Sequence, residues 1–168
     1  MPMTALLRNL ARMTANGTLR PMSDEVELVV SRLTDQERLR KARIHPIQVL
    51  AAMITYSRGV GARGHLTWKP IAKIQDALDE AFYLSFKNVE PTNKRIVLAL
   101  DVSGSMTFGW VAGVPGLTPR DAAAALAMVT ARVEPYYEIV AFCHETVSYT
   151  HLRAHETSLH LVCRLLLE

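Results

Sequence analysis

The feature that most limits the fold is the stretch KRIVLALDVSGSMTFGW, residues 94–110. Ile96 to Leu100 form a five-residue apolar run that reads as a fully buried strand, and the run stops abruptly on Asp101. Ser103 and Ser105 follow around Gly104, which lets the backbone turn tightly. Asp101, Ser103 and Ser105 thus offer three hard oxygen donors within five residues. In an open α/β sheet, ligands collect beyond the carboxyl ends of the strands, where Asp101 falls. One carboxylate and two hydroxyls suit Mg²⁺ or another divalent cation that keeps several waters. Two other readings compete. An Asp or Ser after a strand is a common helix N-cap. A serine nucleophile on an elbow would need Gly-x-Ser-x-Gly, but Asp101 stands at the first glycine position. A metal-dependent hydrolase would need a general base and a second carboxylate near Asp101, and the local sequence supplies neither. No enzyme is expected.

The residues after this turn extend the pattern. A loop with Gly109, Gly113, Pro115 and Gly116 leads to a helix expected from Thr118–Pro119 to about Arg132. YEIVAF, residues 137–142, then reads as a second buried strand. Strand, helix, strand is a βαβ unit and implies a parallel α/β sheet. His144 and Glu145 follow this strand, either as neighbours of the cation site or as plain surface residues.

Residues 1–92 have a different rhythm, that of successive short helices. Leu6, Leu7, Leu10 and Ala11 recur at helical spacing, as do Val26, Val29, Val30 and Leu33. Asp24, Glu25 and Glu27 sit early in the second segment, where the helix dipole favours negative charge. Thr34 and Glu37 have capping-box spacing before RLRKARI. Pro46 and Pro70 each fit a first helical turn. Ile47, Leu50, Ala51 and Ile54 are expected to make one apolar face; Ile71, Ile74, Leu78, Ala81 and Phe82 make another. SRGVGARGHLTW between them has three glycines in six residues and reads as a loop. The composition shifts at NVEPTNK, so a domain boundary is expected near residue 92, with an α/β unit over 93–147. Residues 148–168, with three of the six histidines and no clean strand pattern, are read as a non-native tail.

Charge separates the two parts. Residues 1–93 carry 13 Lys/Arg against nine Asp/Glu; residues 94–147 carry four against five. Only the first part is biased toward a polyanion. Arg38, Arg40, Lys41, Arg43 and His45 form a dense run able to meet several phosphates, unless it is simply a solvated helix face. Arg58, Arg63, His65 and Lys69 surround the glycine-rich loop, which ends on Trp68. Trp68 either stacks on an unpaired base or packs between helices. The 49% apolar content supports a packed core, and no apolar run approaches the length of a membrane span. Cys143 and Cys163 lack CxxC partners, which argues against a zinc site or a disulfide framework and for a cytoplasmic setting.

The Asp-x-Ser-Gly-Ser pattern resembles the metal-ion-dependent adhesion site of von Willebrand factor A domains. The segments MPMTALLRNLARMTANGTL, RLRKARIHPIQVLAAMITYSRG and LTWKPIAKIQDALDEAFYLSFKNVEPTNKR, followed by DVSGSM, resemble in that order the Ro autoantigen family of TROVE-domain proteins. The resemblance covers residues 1 to about 147. It implies the last helices of a HEAT-like α-helical ring followed by the start of a Rossmann-like A domain. It also implies binding of small structured (Y-like) non-coding RNA and of misfolded RNA 3′ ends, and a divalent cation at Asp101, Ser103 and Ser105. A protein partner whose acidic residue completes the metal shell is the alternative it carries. The family's site takes a threonine and an aspartate from later loops, and no GGTD-like or TDNE-like segment occurs here. Thr118 and Asp121 open the crossover helix, where Thr-Pro-x-Asp is an ordinary cap.

Overall fold

The computed structural model describes residues 1–61 and 65–143, and the chain divides into two compact units. The first holds Met1–Val89 with Gly113–Gly116; the second holds Glu90–Ala112 and the chain from Leu117 onward. The expected tail at 148–168, together with His144 and Glu145, lies outside the described residues.

The first unit is helical: α1 (Met3–Ala15), α2 (Asp24–Leu33), α3 (Gln36–Lys41), α4 (Pro46–Ser57) and α5 (Ala72–Leu84), closed by a 3₁₀ turn over Ser85–Asn88. The α5 helix packs against α2, α3 and α4, and α1 packs against α4. Leu6, Leu10, Val26, Leu33, Leu39, Ile44, Val49, Ile74 and Leu78 are wholly or almost wholly buried. Phe82 and Phe86 meet edge to face with centroids 4.9 Å apart, a favoured aromatic geometry.

Three local expectations are corrected here. The cap of α3 is Asp35, whose carboxylate accepts the Arg38 N–H at 3.1 Å. Thr34 instead ends α2, its hydroxyl donating to the Val30 carbonyl. Pro46 does open α4, but α5 starts two residues after Pro70, because the Ile71 N–H is drawn to the Tyr56 hydroxyl and Ile71 stays extended. In α4 the fully buried side chains are Pro46, Val49 and Tyr56, while Ile47, Leu50, Ala51 and Ile54 are half-buried. That helix is apolar nearly all round, so periodicity does not select its inner face.

The loop after α4 folds back on itself. The Gly61 N–H donates to the Leu66 carbonyl at 2.8 Å and the Trp68 N–H to the Gly59 carbonyl at 2.9 Å. Gly59 has φ +69°, and a Cβ there would stand 2.8 Å from the Trp68 carbonyl oxygen, so only glycine fits.

In the second unit, β1 (Ile96–Asp101) and β2 (Tyr137–Phe142) pair in parallel, with Leu98 opposite Ile139 and Asp101 opposite Phe142. The crossover is α6 (Pro119–Val133), which packs on both strands. Ile139 is buried among Leu98, Leu100, Ala124, Met128 and Ala131. The expectation of a fully buried β1 is corrected: Leu98 faces this core, but Val97 is 65% exposed and Ala99 is exposed as well. Residues alternate across a strand, and among the described residues only α6 covers the sheet, on one face. No helix among the described residues is long and apolar enough to cross a membrane.

Candidate functional site

Asp101 ends β1, and the chain turns at once into a 3₁₀ segment over Gly104–Thr107. The turn is held by the Ser103 N–H, which donates to Asp101 Oδ1 at 2.9 Å. The Ser103 hydroxyl, and then that N–H, hold the Asp101 carboxyl below the usual carboxylate range, so it is anionic at neutral pH. Ser103 and Ser105 bring their Oγ atoms to 2.8 Å of each other. That separation is a hydroxyl–hydroxyl hydrogen bond; it is the donor types, one carboxylate and two hydroxyls on one turn, that suit a hard cation with part of its shell supplied by water.

Thr118 and Asp121 are committed elsewhere. Asp121 Oδ2 accepts the Thr118 N–H at 3.2 Å and the Thr118 hydroxyl at 2.6 Å, while Thr118 Oγ1 accepts the Asp121 N–H at 3.1 Å. This is a reciprocal cap at the start of α6. Among the described residues, no three of His, Cys, Asp and Glu gather as a metal cluster. One further group braces the turn: the Arg120 guanidinium donates to the Val102 carbonyl at 3.3 Å. The motif reading missed Phe108 and Trp110, which are 76% and 63% exposed just beyond the serines. Their signal was present in the sequence, as two large aromatics around a glycine in a loop.

The basic run sits on α3 and the turn after it. Arg38, Arg40, Lys41, Arg43 and His45 are all exposed. Arg38 Nε lies 2.9 Å from Asp35 Oδ2, and Arg40 Nε lies 3.8 Å from Glu37 Oε1; both pairs are open to solvent. The Asp35 carboxyl is held below its usual range, chiefly by the Arg38 backbone N–H. The turn itself is a Schellman motif. The Ile44 N–H donates to the Leu39 carbonyl at 3.1 Å and the Arg43 N–H to the Arg40 carbonyl at 3.0 Å. Arg43 takes the left-handed position, φ +50°, where glycine is the usual residue. His45 caps α4: its Nδ1 accepts the Ile47 N–H at 3.2 Å, and Gln48 Oε1 accepts the His45 N–H at 3.1 Å.

Trp68 does not join this cluster. It is only 9% exposed, its Nε1–H donates to the Tyr56 carbonyl at 2.9 Å, and its ring lies stacked near that of Tyr56. Of its two readings the packed one holds and base stacking does not, because the ring is core and its polar atom is already bonded. Arg63 lies outside the described residues.

Comparison with known proteins matches both halves. Residues 1–55 match the model of the TROVE domain, and residues 95–166 match that of the Ro60 vWA domain. The RNA-binding protein RO60 of Deinococcus radiodurans is 53% identical over 134 residues, 79% of this chain and 25% of the relative. The RNA-binding protein RO60 of Caenorhabditis elegans is 51% identical over 145 residues, 85% of this chain and 22% of the relative. The chain therefore spans about a quarter of the length of these relatives. The crystal structure of the Deinococcus radiodurans RO (RSR) protein superposes with a TM-score of 0.88 at 45% identity, over 99% of this chain and 33% of that one. With TROVE residues leading into Ro60-type vWA residues, and helices leading into a parallel βαβ unit, the chain belongs to the Ro family of TROVE-domain proteins.

Proposed function

We propose that this chain is a non-catalytic RNA binder of the ribonucleoprotein type, acting in the cytoplasm on small structured (Y-like) non-coding RNA and on the 3′ ends of misfolded RNA. The observation that carries the reading is its identity of about one half to two relatives named as RNA-binding proteins. The α3 turn supports it. Arg38, Arg40, Lys41 and Arg43 project into solvent within one short stretch, and His45 is exposed beside them. Each cation that meets a phosphate releases condensed counterions, so affinity falls steeply as salt rises. Surface pairing with Asp35 and Glu37 does not block this, because exposed ion pairs are weak and exchange readily for a phosphate.

Filter binding of a structured RNA across a salt series tests the reading. A slope of log affinity against log salt of roughly −3 is expected for three to four phosphate contacts. A flat response would overturn it.

Asp101, Ser103 and Ser105 would hold a divalent cation such as Mg²⁺, which would supply a Lewis-acidic position open to a carboxylate. A second reading follows, in which the α/β unit is a protein-interaction module that receives an acidic residue of a partner. The exposed pair Phe108 and Trp110 beside the serine turn favours it, since exposed aromatics are frequent anchors of protein interfaces. Asp101→Ala separates the two, abolishing partner binding on the second reading and leaving RNA binding intact on the first.

A further inference from the structure

The turn that carries Asp101, Ser103 and Ser105 is tied down along its backbone. The Val102 N–H donates to the Phe142 carbonyl at 2.9 Å and so continues the strand pairing one residue past Asp101. Each carbonyl from Val102 to Ser105 then meets a donor of the protein. The Val102 carbonyl accepts from the Arg120 guanidinium at 3.3 Å, and the Gly104 carbonyl accepts from the Thr107 hydroxyl at 2.6 Å. The Ser103 carbonyl accepts the Met106 N–H at 3.0 Å, and the Ser105 carbonyl accepts the Phe108 N–H at 3.1 Å. The last two bonds belong to the 3₁₀ winding itself. The first two come from side chains, one on the turn and one on α6, which packs against it.

A short 3₁₀ winding holds its shape poorly alone, because its hydrogen bonds have inferior geometry. If an ion were the sole organiser of this turn, the backbone would lose its freedom at the moment of binding, and that cost would come out of the affinity. Here the ordering is done by groups outside the ligand set. The carbonyls are drawn to protein donors, and the oxygens left to meet an ion are those of the Asp101 carboxylate and the two serine hydroxyls, which are linked to each other. We infer that Thr107 and Arg120 are positioning residues that hold the turn in the shape presenting Asp101, Ser103 and Ser105, so that a divalent cation enters a preformed site. The inference rests on the cation reading above and adds to it residues that are not ligands. Arg120 is also a positive charge close to the turn. By charge alone it would repel the ion, and its removal would tighten binding. As a brace, its removal weakens binding, so the two roles predict opposite signs.

The test uses the full chain and the variants Arg120→Met, Arg120→Lys, Thr107→Val and Thr107→Ser. Calorimetric titration with MgCl₂ reads the ion affinity. Amide hydrogen exchange at Met106 and Phe108, followed by NMR without the ion, reads the shape of the turn. Arg120→Met and Thr107→Val should each weaken the ion by about two- to tenfold, the scale of one lost hydrogen bond, and speed exchange at both amides by a similar factor. Arg120→Lys and Thr107→Ser keep a donor and should recover most of both effects. Tighter binding in Arg120→Met would overturn the role of Arg120 as a brace. Faster exchange with unchanged ion affinity would mark a merely structural role and overturn the inference, as would weaker binding without faster exchange, or no change in either. Wild-type amides that exchange freely until the ion is added would overturn the preformed turn. All of these leave the cation reading intact. Absence of Mg²⁺ uptake by the wild type would overturn the cation reading and this role with it.

Discussion

The Ile44 N–H reaches back to the Leu39 carbonyl at 3.1 Å, and both side chains are completely buried. This bond and its hydrophobic clasp force the intervening Arg43 into a left-handed backbone. A glycine would sit there without that strain. Arg43→Gly is therefore expected to raise stability by about 0.5–1 kcal/mol, after the extra entropy of the unfolded glycine is counted. The same change removes one exposed cation, so RNA affinity should fall and the salt slope should shrink by about one. Urea unfolding and filter binding should move in opposite senses. Loss of stability, or unchanged RNA affinity, would separate Arg43 from the role argued for it.

Tyr56 ties together three parts of the helical unit. Its hydroxyl accepts the Ile71 N–H at 3.2 Å and lies 3.0 Å from the Thr14 hydroxyl, while its carbonyl receives Trp68. Tyr56→Phe leaves the buried Ile71 N–H without an acceptor. The expected loss is about 1–3 kcal/mol, read as a lower urea midpoint. A change below the error of the measurement would mean that water or a shifted loop replaces the phenol.

Glu134 follows α6 and is buried, its carboxylate accepting the Thr92 N–H at 2.7 Å and the Asn93 N–H at 3.1 Å. Those bonds, the Thr92 N–H first, hold its carboxyl below the usual range. A carboxyl with a lowered native pKa stabilises the fold above its unfolded value, about 4.3, and that contribution disappears as pH falls through the native value. Glu134→Gln should be less stable than the wild type at neutral pH. The difference should close as the pH falls through the lowered native value. A gap in unfolding midpoint that stays constant from neutral to acid pH would show that the charge has no part in it.

Titration with MgCl₂ followed by calorimetry should detect weak uptake, with Kd about 0.1–1 mM, for a site with few protein ligands. Asp101→Ala should abolish it. The chain has two tryptophans, one buried with its N–H bonded and the other, Trp110, 63% exposed. Any fluorescence change on adding the ion should therefore come from Trp110 and vanish in Trp110→Phe. Because the Asp101 carboxyl is held low, uptake should persist into mildly acid solution and fail only as pH drops through that lowered value. Equal uptake by Asp101→Ala would move the ion elsewhere.

Much of the α/β unit was legible from local chemistry. Asp101 ended the strand as expected, Thr118–Pro119 opened the helix, and the second strand ran over Tyr137–Phe142. Each boundary is set by residues a few positions apart. The misread points depended on distant partners. Pro70 precedes the start of α5 because the Tyr56 hydroxyl, fifteen residues earlier, holds Ile71 extended. Which of the two readings of Trp68 holds is settled by the Tyr56 carbonyl, twelve residues earlier, which takes its N–H. The inner face of α4 is chosen by its neighbours, since its own apolar residues ring the helix.

The reciprocal bonds between Thr118 and Asp121 have a consequence for anyone who would engineer a stronger ion site here. Asp121 is the first acid along the chain after the serine turn, and turning it toward an ion would uncap the helix that carries Arg120, the brace on that turn. One carboxylate cannot serve both duties. A graft of tighter affinity has to bring its acid on another segment, and the success of such a graft can be followed by whether α6 keeps its helical content while the ion binds.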